Sequence, residues 1–329
     1  MAGIFGAALA LTVPEIAEKL GGQVVFFATP AEEYGEIEFK NQLREQGKIR
    51  YGGGKCELIR TGAFDDIDLC LAHHIQQGDE IQVGSGTGNG FVSKVIRYLG
   101  KAAHAAGAPD KGVNALSAAS LGLQALGLNR ETFRDEDCVR VHPIITKGGN
   151  LVNVIPDEIV IETLVRAKTI EAFTDAAKKT DRSFQAGAVA MGAKVEITTL
   201  PGYLPTLAEQ ALPELKRAAE LAAPEVPVRE AAGHSGGSTD VGDVQHLMPV
   251  YTFNTGGVKG GLHQINFEVT NEEEAYIDTA KMFALAAYGL LKEKAARSKE
   301  LVKNYKPVFK DSAEYTKFME QFDSKEVLD

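Results

Sequence analysis

Between residues 91 and 200, strand-like and helix-like segments follow one another in an order that few folds accommodate. The strand-like segments are 91–99, 139–146, 159–165 and 194–200, and the helical segments are 113–126 and 170–191. This βαββαβ order is typical of the ferredoxin-like split motif. A glycine-rich stretch at 84–90 precedes it and Pro201-Gly202 follows it, as expected at the borders of an inserted unit. We therefore predict that residues 89–200 form a small lid domain.

The chain on either side of this insert has the pattern of an α/β domain with a parallel sheet. Apolar runs at 24–28 and 67–72 indicate buried strands, and a third strand is indicated at 250–254. Helical patterns occur at 1–20, 207–221 and 271–298. Residues 1–88 and 201–329 are therefore predicted to form one domain, a mixed sheet flanked by helices, into which the lid is inserted.

The charge and the cysteine content restrict the partners and the location of the protein. Its 329 residues include 35 Lys or Arg and 45 Asp or Glu, for a net charge of −10 without a basic block. Such a surface disfavours nucleic acid and anionic membranes as partners. Three cysteines without CxxC spacing indicate a reducing, cytoplasmic compartment. The apolar start, residues 1–11, lacks basic residues and is too short to span a bilayer, so we expect a helix packed on the sheet.

Acidic and imidazole side chains follow the predicted strands of the outer domain. Glu32 and Glu33 come after the first strand, His73 and His74 end the second, and His263 lies in the loop after the third. The carboxyl ends of parallel strands share one edge of a sheet, where open α/β sheets place their chemistry. Carboxylate and imidazole groups together suit zinc or a similar divalent ion. A solvated acidic loop and hydrogen-bonded rim histidines are the ordinary alternatives for these residue types.

The positions of these side chains assign each a candidate role. Glu33, His74 and His263 are candidate metal ligands, and Glu32 is the candidate general base for a metal-bound water. His73 competes with His74 for the ligand role, because strand alternation points only one of the two into a site.

Several strings of residues along the chain match the motifs of one known family. They are Thr29-Pro30-Ala31-Glu32-Glu33, Gly62-Ala63-Phe64-Asp65-Asp66-Ile67-Asp68 leading to His74, Gly100-Lys101-Ala102-Ala103-His104-Ala105, Asn153-Val154-Ile155-Pro156 with Arg166 downstream, and Ser238-Thr239-Asp240-Val241-Gly242-Asp243. With them the chain resembles the metal-dependent aminoacylase/carboxypeptidase family over nearly its whole length. The nearest branch is that of the aminobenzoyl-glutamate hydrolases and the amidohydrolases of N-acyl amino acids and dipeptides.

The resemblance implies a zinc-exopeptidase-like fold and a metal-dependent amidohydrolase. The implied substrates are small N-acyl or N-aroyl amino acids or dipeptides, whose amide bond is cleaved by metal-activated water. Glu32 corresponds to the family's general base. Glu33, His74 and His263 correspond to ligands of one or two zinc or manganese ions.

The resemblance also implies a homodimer formed through the lid. His104 corresponds to a lid histidine that reaches into the partner subunit's site and polarises the scissile carbonyl. Asn153 and Arg166 correspond to lid residues that hold the substrate's carboxylate, a task that suits the two parallel N–H groups of an arginine. Asp240 and Asp243 are expected to begin a short helix rather than to bind metal.

The sequence departs from the family at its beginning. The family places a His-x-Cys-Gly-His-type segment, which supplies the first metal ligands, just before the helix that here begins at Ala2. We therefore expect a truncated N-terminal portion and three ligands at most, which argues against two-metal chemistry and leaves open that no ion binds. The alternative function is a catalytically silent dimeric binding module or a structural subunit. Three further histidines, His142, His234 and His246, lie outside the family motifs, although His234 sits where it could face substrate.

Overall fold

The structure, a computed structural model, describes residues 2–328. Its helices, numbered along the chain, are α1 (Ala2–Ala10), α2 (Pro14–Ala17), α3 (Ile37–Glu45), α4 (Gly54–Arg60), α5 (Ala115–Asn129), α6 (Ile170–Met191), α7 (Pro213–Ala222), α8 (Val241–Gln245), α9 (Thr279–Asn304) and α10 (Ser312–Met319). Its strands are β1 (Cys70–Ile75), β2 (Ile81–Val83), β3 (Thr87–Gly88), β4 (Gly90–Leu99), β5 (Arg140–Val141), β6 (Ile144–Lys147), β7 (Glu158–Ala167), β8 (Lys194–Pro201), β9 (Val228–Glu230), β10 (His234–Ser235), β11 (Val250–Thr255), β12 (Val258–Lys259), β13 (Glu268–Val269) and β14 (Ser324–Leu328). The predicted mixed α/β fold, with sheets flanked by helices, is confirmed. No helix within residues 2–328 has the length and apolar character needed to cross a membrane.

The largest sheet has six strands and contains most of the segment predicted as the lid. Its strand order is β14-β8-β4-β7-β5, and β6 also pairs with β7. Strand β4 lies antiparallel to both β7 and β8 along its length. Helices α5 and α6 pack against each other and against β4 and β7. The chain therefore runs through β4, α5, β5 with β6, β7, α6 and β8, while the division into domains and the role of the lid stay predictions.

A second sheet has four strands in the order β1-β11-β2-β9. Strands β1 and β11 are parallel, β2 runs antiparallel to β11, and β9 is parallel to β2. Helix α9 packs against α1 and α7 on one side of this sheet. Leu215, Phe253 and Met282 are fully buried in the apolar layer between these helices and the strands.

The strand predicted at residues 24–28 is wrong. This segment is extended coil, and the side chains of Val24 and Val25 are 41% and 46% exposed. A strand requires a neighbour for its backbone N–H and C=O groups, and within residues 2–328 no strand pairs with this segment. Aromatic contacts hold it instead, with Phe26 lying 5.9 Å from the Phe5 ring and Phe27 stacked at 4.6 Å on Phe64.

The predicted helix 1–20 is also divided. Pro14 begins α2 after a turn, because proline has no N–H to continue the ladder of α1. Beyond α2, the Gly21 N–H donates to the Leu291 carbonyl at 2.8 Å. The segment Lys292–Ala295, which interrupts the helical backbone of α9, lies at this contact.

The last part of the chain, residues 305–328, is here called the tail. It contacts helix α4 and the edge strand β8 of the six-stranded sheet. Helix α10 packs against α4, and β14 pairs antiparallel with β8 along five residues. Tyr315 and Met319 are buried at 0% and 1% exposure. The Phe322 ring lies 5.3 Å from that of Phe173 on α6. The tail thus joins helix α4 to the edge of the six-stranded sheet.

Candidate active site

The acidic loop, residues 29–36, is held against the start of α4 by close backbone contacts. The Gly54 N–H donates to the Ala31 carbonyl at 3.1 Å, and a Cβ on Gly54 would lie 1.9 Å from the Pro30 carbonyl oxygen. A larger residue at position 54 would therefore displace the loop. The Tyr203 hydroxyl donates to the Glu32 backbone carbonyl at 2.5 Å. These contacts fix the backbone from which the two acidic side chains extend.

The two carboxylates of this loop have different surroundings. The Glu32 side chain is half-buried and its Oε1 accepts a hydrogen bond of 3.1 Å from the Thr239 hydroxyl. Glu33 is 73% exposed, and its Oε1 lies 3.8 Å from Nε2 of His263, itself 76% exposed. The predicted proximity of Glu33 to His263 is therefore present in the structure, and Glu32 stands apart with a hydroxyl partner of its own.

The strand alternation in β1 separates the two neighbouring histidines. The ring of His73 lies 5.0 Å from that of Phe253 on the helix-covered side, and its Nε2 lies 2.8 Å from the Thr255 hydroxyl. Burial, and secondarily the charge of His74, lowers the pKa of His73 to about 4. His74 is exposed, with Nδ1 2.6 Å from the Ile75 carbonyl. Of the two, His74 is the histidine available to solvent.

The described side chains do not by themselves form a metal site. Nowhere in residues 2–328 do three His, Cys, Asp or Glu side chains gather closely enough to hold an ion. Glu33 and His263 supply two donors of suitable chemistry, and His74 does not join them. A catalytic zinc ordinarily has three protein ligands. The predicted three-ligand set is therefore not assembled in these residues.

Arg166, near the end of β7, lies at the same side of the molecule as the acidic loop. Its Nη1 donates to the Ser238 hydroxyl at 2.8 Å, and its guanidinium carbon lies 5.2 Å from the centre of the Phe91 ring. Burial lowers the pKa of Arg166, and the charge of Glu33 acts in the opposite direction. A half-buried guanidinium that rests on an aromatic face is well suited to bind a carboxylate.

His104 and Asn153 lie near the opposite end of β7 from Arg166. The Ala105 N–H donates to the Asn153 carbonyl at 3.0 Å, which places the two loops side by side. Asn153 lies in the loop before Glu158, the first residue of β7, and Arg166 is the next-to-last residue of that strand. At about 3.3 Å per residue, the strand from Glu158 to Arg166 alone spans roughly 26 Å. The structure does not bring Asn153 and Arg166 of one chain to the same carboxylate.

Asp240 stands at the start of α8, as predicted for a helix-start residue, but its carboxylate contacts Lys55 rather than the backbone of α8. It is fully buried and accepts hydrogen bonds from the backbone N–H of Lys55 at 2.9 Å and from Lys55 Nζ at 2.6 Å. Burial raises the pKa of Asp240, and the charge of Lys55 opposes this shift.

Asp243, inside α8, is also fully buried. Its Oδ1 accepts from the Tyr315 hydroxyl at 2.8 Å, and its carboxylate lies 3.3 Å from the Leu204 N–H. Burial raises the pKa of Asp243 to about 8, although the hydrogen bond from Tyr315 opposes the shift. This carboxyl group links the tail to α8 and to the segment after β8.

Sequence reasoning misses four contributors to this region: Lys55, Tyr203, Ser238 and Thr239. The sequence feature that points to Lys55 is the run Gly52-Gly53-Gly54 just before it. Such a run is typical of a place where the backbone packs closely against another segment. The sequence favours Ser238 or Thr239 as a cap of the following helix. The Thr239 hydroxyl accepts a hydrogen bond of 3.4 Å from the Val241 N–H at the start of α8 and also donates to Glu32, whereas the Ser238 hydroxyl accepts from Arg166.

Of the three histidines outside the family motifs, His234 and His246 make hydrogen bonds with other protein groups. Nδ1 of His234 lies 2.9 Å from the Thr87 hydroxyl and Nε2 lies 3.0 Å from Asn89 Oδ1, so both ring nitrogens have protein partners. His246 is buried with Nδ1 2.8 Å from the Gly242 carbonyl. His142 is exposed in the segment predicted as the lid.

Comparisons with known proteins agree on one family. A family model described as peptidase family M20/M25/M40 matches residues 1–288. Xaa-Arg dipeptidase of Mus musculus is 28% identical over 312 residues, covering 92% of this chain and 65% of that protein. One of the subunits of p-aminobenzoyl-glutamate hydrolase from Escherichia coli (strain K12) is 31% identical over 140 residues, covering 41% of this chain and 27% of that protein. This chain therefore spans about 65% of the length of its mouse relative.

A solved structure agrees with the fold. It is that of a Bacillus subtilis protein described as a dinuclear metal-binding peptidase from the M20 family, with a TM-score of 0.56 at 22% identity, covering 88% of this chain and 70% of that one. The resemblance predicted from the motifs is confirmed, because the family model covers most of the sequence. This chain belongs to peptidase family M20/M25/M40.

Proposed function

We propose that the protein is an amidohydrolase that cleaves the amide bond of dipeptides or N-acyl or N-aroyl amino acids. One observation carries the proposal: consecutive residues of one turn bind the two groups that such a reaction needs. The Ser238 hydroxyl contacts the Arg166 guanidinium at 2.8 Å, and the Thr239 hydroxyl contacts the Glu32 carboxylate at 3.1 Å. A cation for the substrate's carboxylate and an acid for proton transfer are thereby held side by side.

In the proposed reaction, Glu32 is the proton carrier. Its carboxylate accepts a proton from the water that attacks the amide carbonyl, and then passes that proton to the leaving nitrogen. Arg166 binds the free carboxylate of the substrate and so fixes the amide bond relative to Glu32. Glu33, His74 and His263 stay predicted ligands of a divalent ion, zinc or manganese, which would lower the pKa of the attacking water so that Glu32 could take its proton.

The names of the curated relatives support the substrate class. The mouse relative is named for Xaa-Arg dipeptides and the bacterial one for p-aminobenzoyl-glutamate. Both compounds end in an amino acid with a free carboxylate, the group that Arg166 is suited to bind. Membership of a peptidase family favours a hydrolase over the catalytically silent binding module or structural subunit.

We further propose that a homodimer completes the site. His104 and Asn153 lie too far from Arg166 to serve the same substrate within one chain. Exposed apolar side chains accompany them, with Ile144 60%, Leu151 64% and Val152 103% exposed. Apolar surface of this kind is typical of a protein–protein contact. Pairing of this end of the lid with a second copy would bring His104 and Asn153 to the partner's Glu32 and Arg166.

Replacing the proposed base tests the function. We expect Glu32→Gln to lower kcat on a panel of N-acyl amino acids and dipeptides by at least about 10²-fold, because an amide takes no proton from water. Circular dichroism and the urea midpoint should stay close to those of the wild type. Glu225→Gln, at an exposed position, is the matched control. Full activity of the Glu32→Gln protein would show that Glu32 is not the base.

A further inference from the structure

We propose that the turn Ser238-Thr239-Asp240 is the positioning element of the active site, which sets Arg166 and Glu32 at a fixed separation. The inference rests on the proposed function and assigns a separate task to each residue of the turn. Asp240 anchors the turn, Thr239 orients the base, and Ser238 orients the arginine.

The anchor is the buried ion pair between Asp240 and Lys55. Asp240 is 0% exposed and Lys55 19% exposed at the side chain, and their closest nitrogen–oxygen distance is 2.6 Å. The backbone N–H of Lys55 adds a second hydrogen bond to the same carboxylate at 2.9 Å. Because Lys55 follows Gly54, which contacts the acidic loop through Pro30 and Ala31, the turn and the loop are attached to the same end of α4.

Thr239 fixes the direction of the Glu32 carboxylate. Tyr203 holds only the backbone carbonyl of Glu32 and leaves its side chain free to rotate. The Thr239 hydroxyl, 3.1 Å from Oε1, is the hydrogen-bond donor that reaches the carboxylate itself within the part of the chain described. A side chain with several rotamers needs such a contact to present its free oxygen in one direction.

Ser238 fixes the Arg166 guanidinium in a similar way. The Phe91 ring packs against one face of the guanidinium, with 5.2 Å between the guanidinium carbon and the ring centre. This contact leaves the guanidinium free to rotate within its own plane. The 2.8 Å hydrogen bond from Nη1 to the Ser238 hydroxyl sets that rotation. The remaining N–H groups of the guanidinium are then held in one orientation, which favours two parallel hydrogen bonds to a carboxylate.

Since adjacent Cα atoms are about 3.8 Å apart, Ser238 and Thr239 hold the two groups at a nearly constant spacing. The turn therefore acts on two kinetic constants separately. Loss of the Thr239 hydroxyl affects mainly proton transfer and so kcat, whereas loss of the Ser238 hydroxyl affects mainly carboxylate binding and so KM. A residue that merely stabilised the fold would not divide its effects in this way.

The kinetic test uses N-benzoylglycine as the substrate and the full chain. We expect Thr239→Val to lower kcat about 10-fold or more and to change KM less, because the loss of a hydrogen bond to a charged group corresponds to about a tenfold change in rate. Thr239→Ser, which keeps the hydroxyl, should restore kcat. Ser238→Ala should raise KM about 10-fold or more and change kcat less. For N-benzoylglycinamide, which has no carboxylate, Ser238→Ala should leave KM close to that of the wild type. Ser235→Ala is the control, because the exposed Ser235 hydroxyl accepts a hydrogen bond from the Gly237 N–H of the same loop and contacts neither Arg166 nor Glu32.

Two double-mutant cycles in urea test the contacts without requiring turnover. They combine Thr239→Val with Glu32→Ala, and Ser238→Ala with Arg166→Ala. In each cycle we expect the first change to alter the unfolding equilibrium constant about fivefold less when its partner is already absent. Additive effects in both cycles would overturn the inference.

The outcomes separate this inference from the proposed function. An inactive Glu32→Gln protein together with fully active Thr239→Val and Ser238→Ala proteins would overturn the positioning role and leave the hydrolase standing. A wild-type chain without turnover would overturn the proposed function, and the two urea cycles would then decide the positioning role alone. Loss of kcat in Thr239→Val with recovery in Thr239→Ser supports both.

Discussion

At the scale of single residues, Glu209 is a carboxyl group whose buried surroundings favour the protonated, neutral form. One carboxylate oxygen accepts a hydrogen bond of 3.1 Å from the Thr252 N–H. The other is buried without a hydrogen-bond partner in the part of the chain described. Burial raises the pKa of Glu209 to about 8, and the hydrogen bond from the Thr252 N–H opposes the shift. The folded protein therefore keeps this side chain protonated at neutral pH.

The sign of the resulting pH dependence follows from proton counting. An unfolded glutamate has a pKa of about 4.3. Between that value and about 8, the folded state holds a proton that the unfolded state has lost, so stability falls as pH rises through this window. We expect Glu209→Gln to make the free energy of unfolding less dependent on pH between 5 and 8, with a difference of up to about 1.4 kcal/mol per pH unit. Urea unfolding at several pH values measures both slopes.

Glu225→Gln is the control for this prediction, because its side chain is exposed. Asp243, whose pKa burial also raises to about 8, is present in both proteins and contributes equally to both slopes. Parallel slopes for the wild type and Glu209→Gln would show that Glu209 is ionised in the folded protein.

At the scale of elements, the agreement between sequence and structure depends on whether local signals define an element. Helix α6 has the predicted bounds, because the Thr169 side chain accepts from the Ala172 N–H at its start and Gly192 ends it with a φ of +65°. Residues 24–28 have equally strong β-type composition but no strand beside them within residues 2–328. Composition alone does not supply the neighbouring ladder on which a strand depends.

The same distinction applies to the site. Glu32 and Glu33 stand in a recognisable string, whereas His263 is assigned from its place in the loop after a strand, and its Nε2 lies 3.8 Å from Glu33 Oε1. Lys55 and Asp240 are 185 positions apart in the sequence, so no local sequence pattern predicts that they pair. Sequence periodicity predicts which residues share a strand or a helix face, whereas pairings of this kind depend on how the completed elements pack.

Helices α5 and α6 approach closely because both carry glycine at their contact. A Cβ at Gly187 would lie 2.2 Å from the Ala118 carbonyl oxygen and 2.7 Å from the Gly122 nitrogen, both of them backbone atoms. We expect Gly187→Ala to lower the free energy of unfolding by about 1–3 kcal/mol, since the helices must move apart to accept the methyl group. Urea unfolding monitored by circular dichroism measures the change.

Gly127→Ala on α5 is the matched control, because nothing lies within 4 Å of the added Cβ. There the substitution should raise stability by about 0.5–1 kcal/mol, through the lower backbone entropy of alanine in the unfolded chain. Equal effects at the two positions would contradict the close helix contact.

At the scale of the whole molecule, the proposed homodimer would make the site a property of two chains, with His104 supplied by one chain and Arg166 by the other. A protein with Arg166→Ala and a protein with His104→Ala should each be inactive as homodimers. In a heterodimer of the two, one site has its own Arg166 and the partner's His104 intact. We therefore expect turnover of N-benzoylglycine to return when both variants are co-expressed and isolated through two different affinity tags.

The control for this complementation is co-expression of two differently tagged chains that share the Arg166→Ala change, which should stay inactive. A purified heterodimer of the two different variants that also remained inactive would show that His104 does not act across the dimer.

The course of the tail has a mechanical consequence. Residues 305–328 are held at one end where α10 packs against α4 and the Tyr315 hydroxyl donates to Asp243 of α8, and at the other end by the pairing of β14 with β8. A swing of the six-stranded sheet away from α4 would require β14 to separate from β8 or α10 to leave α4, so the tail restrains such a movement. The family model matches residues 1–288, so the tail itself lies outside the matched residues, while its partners α4, α8 and β8 lie within them.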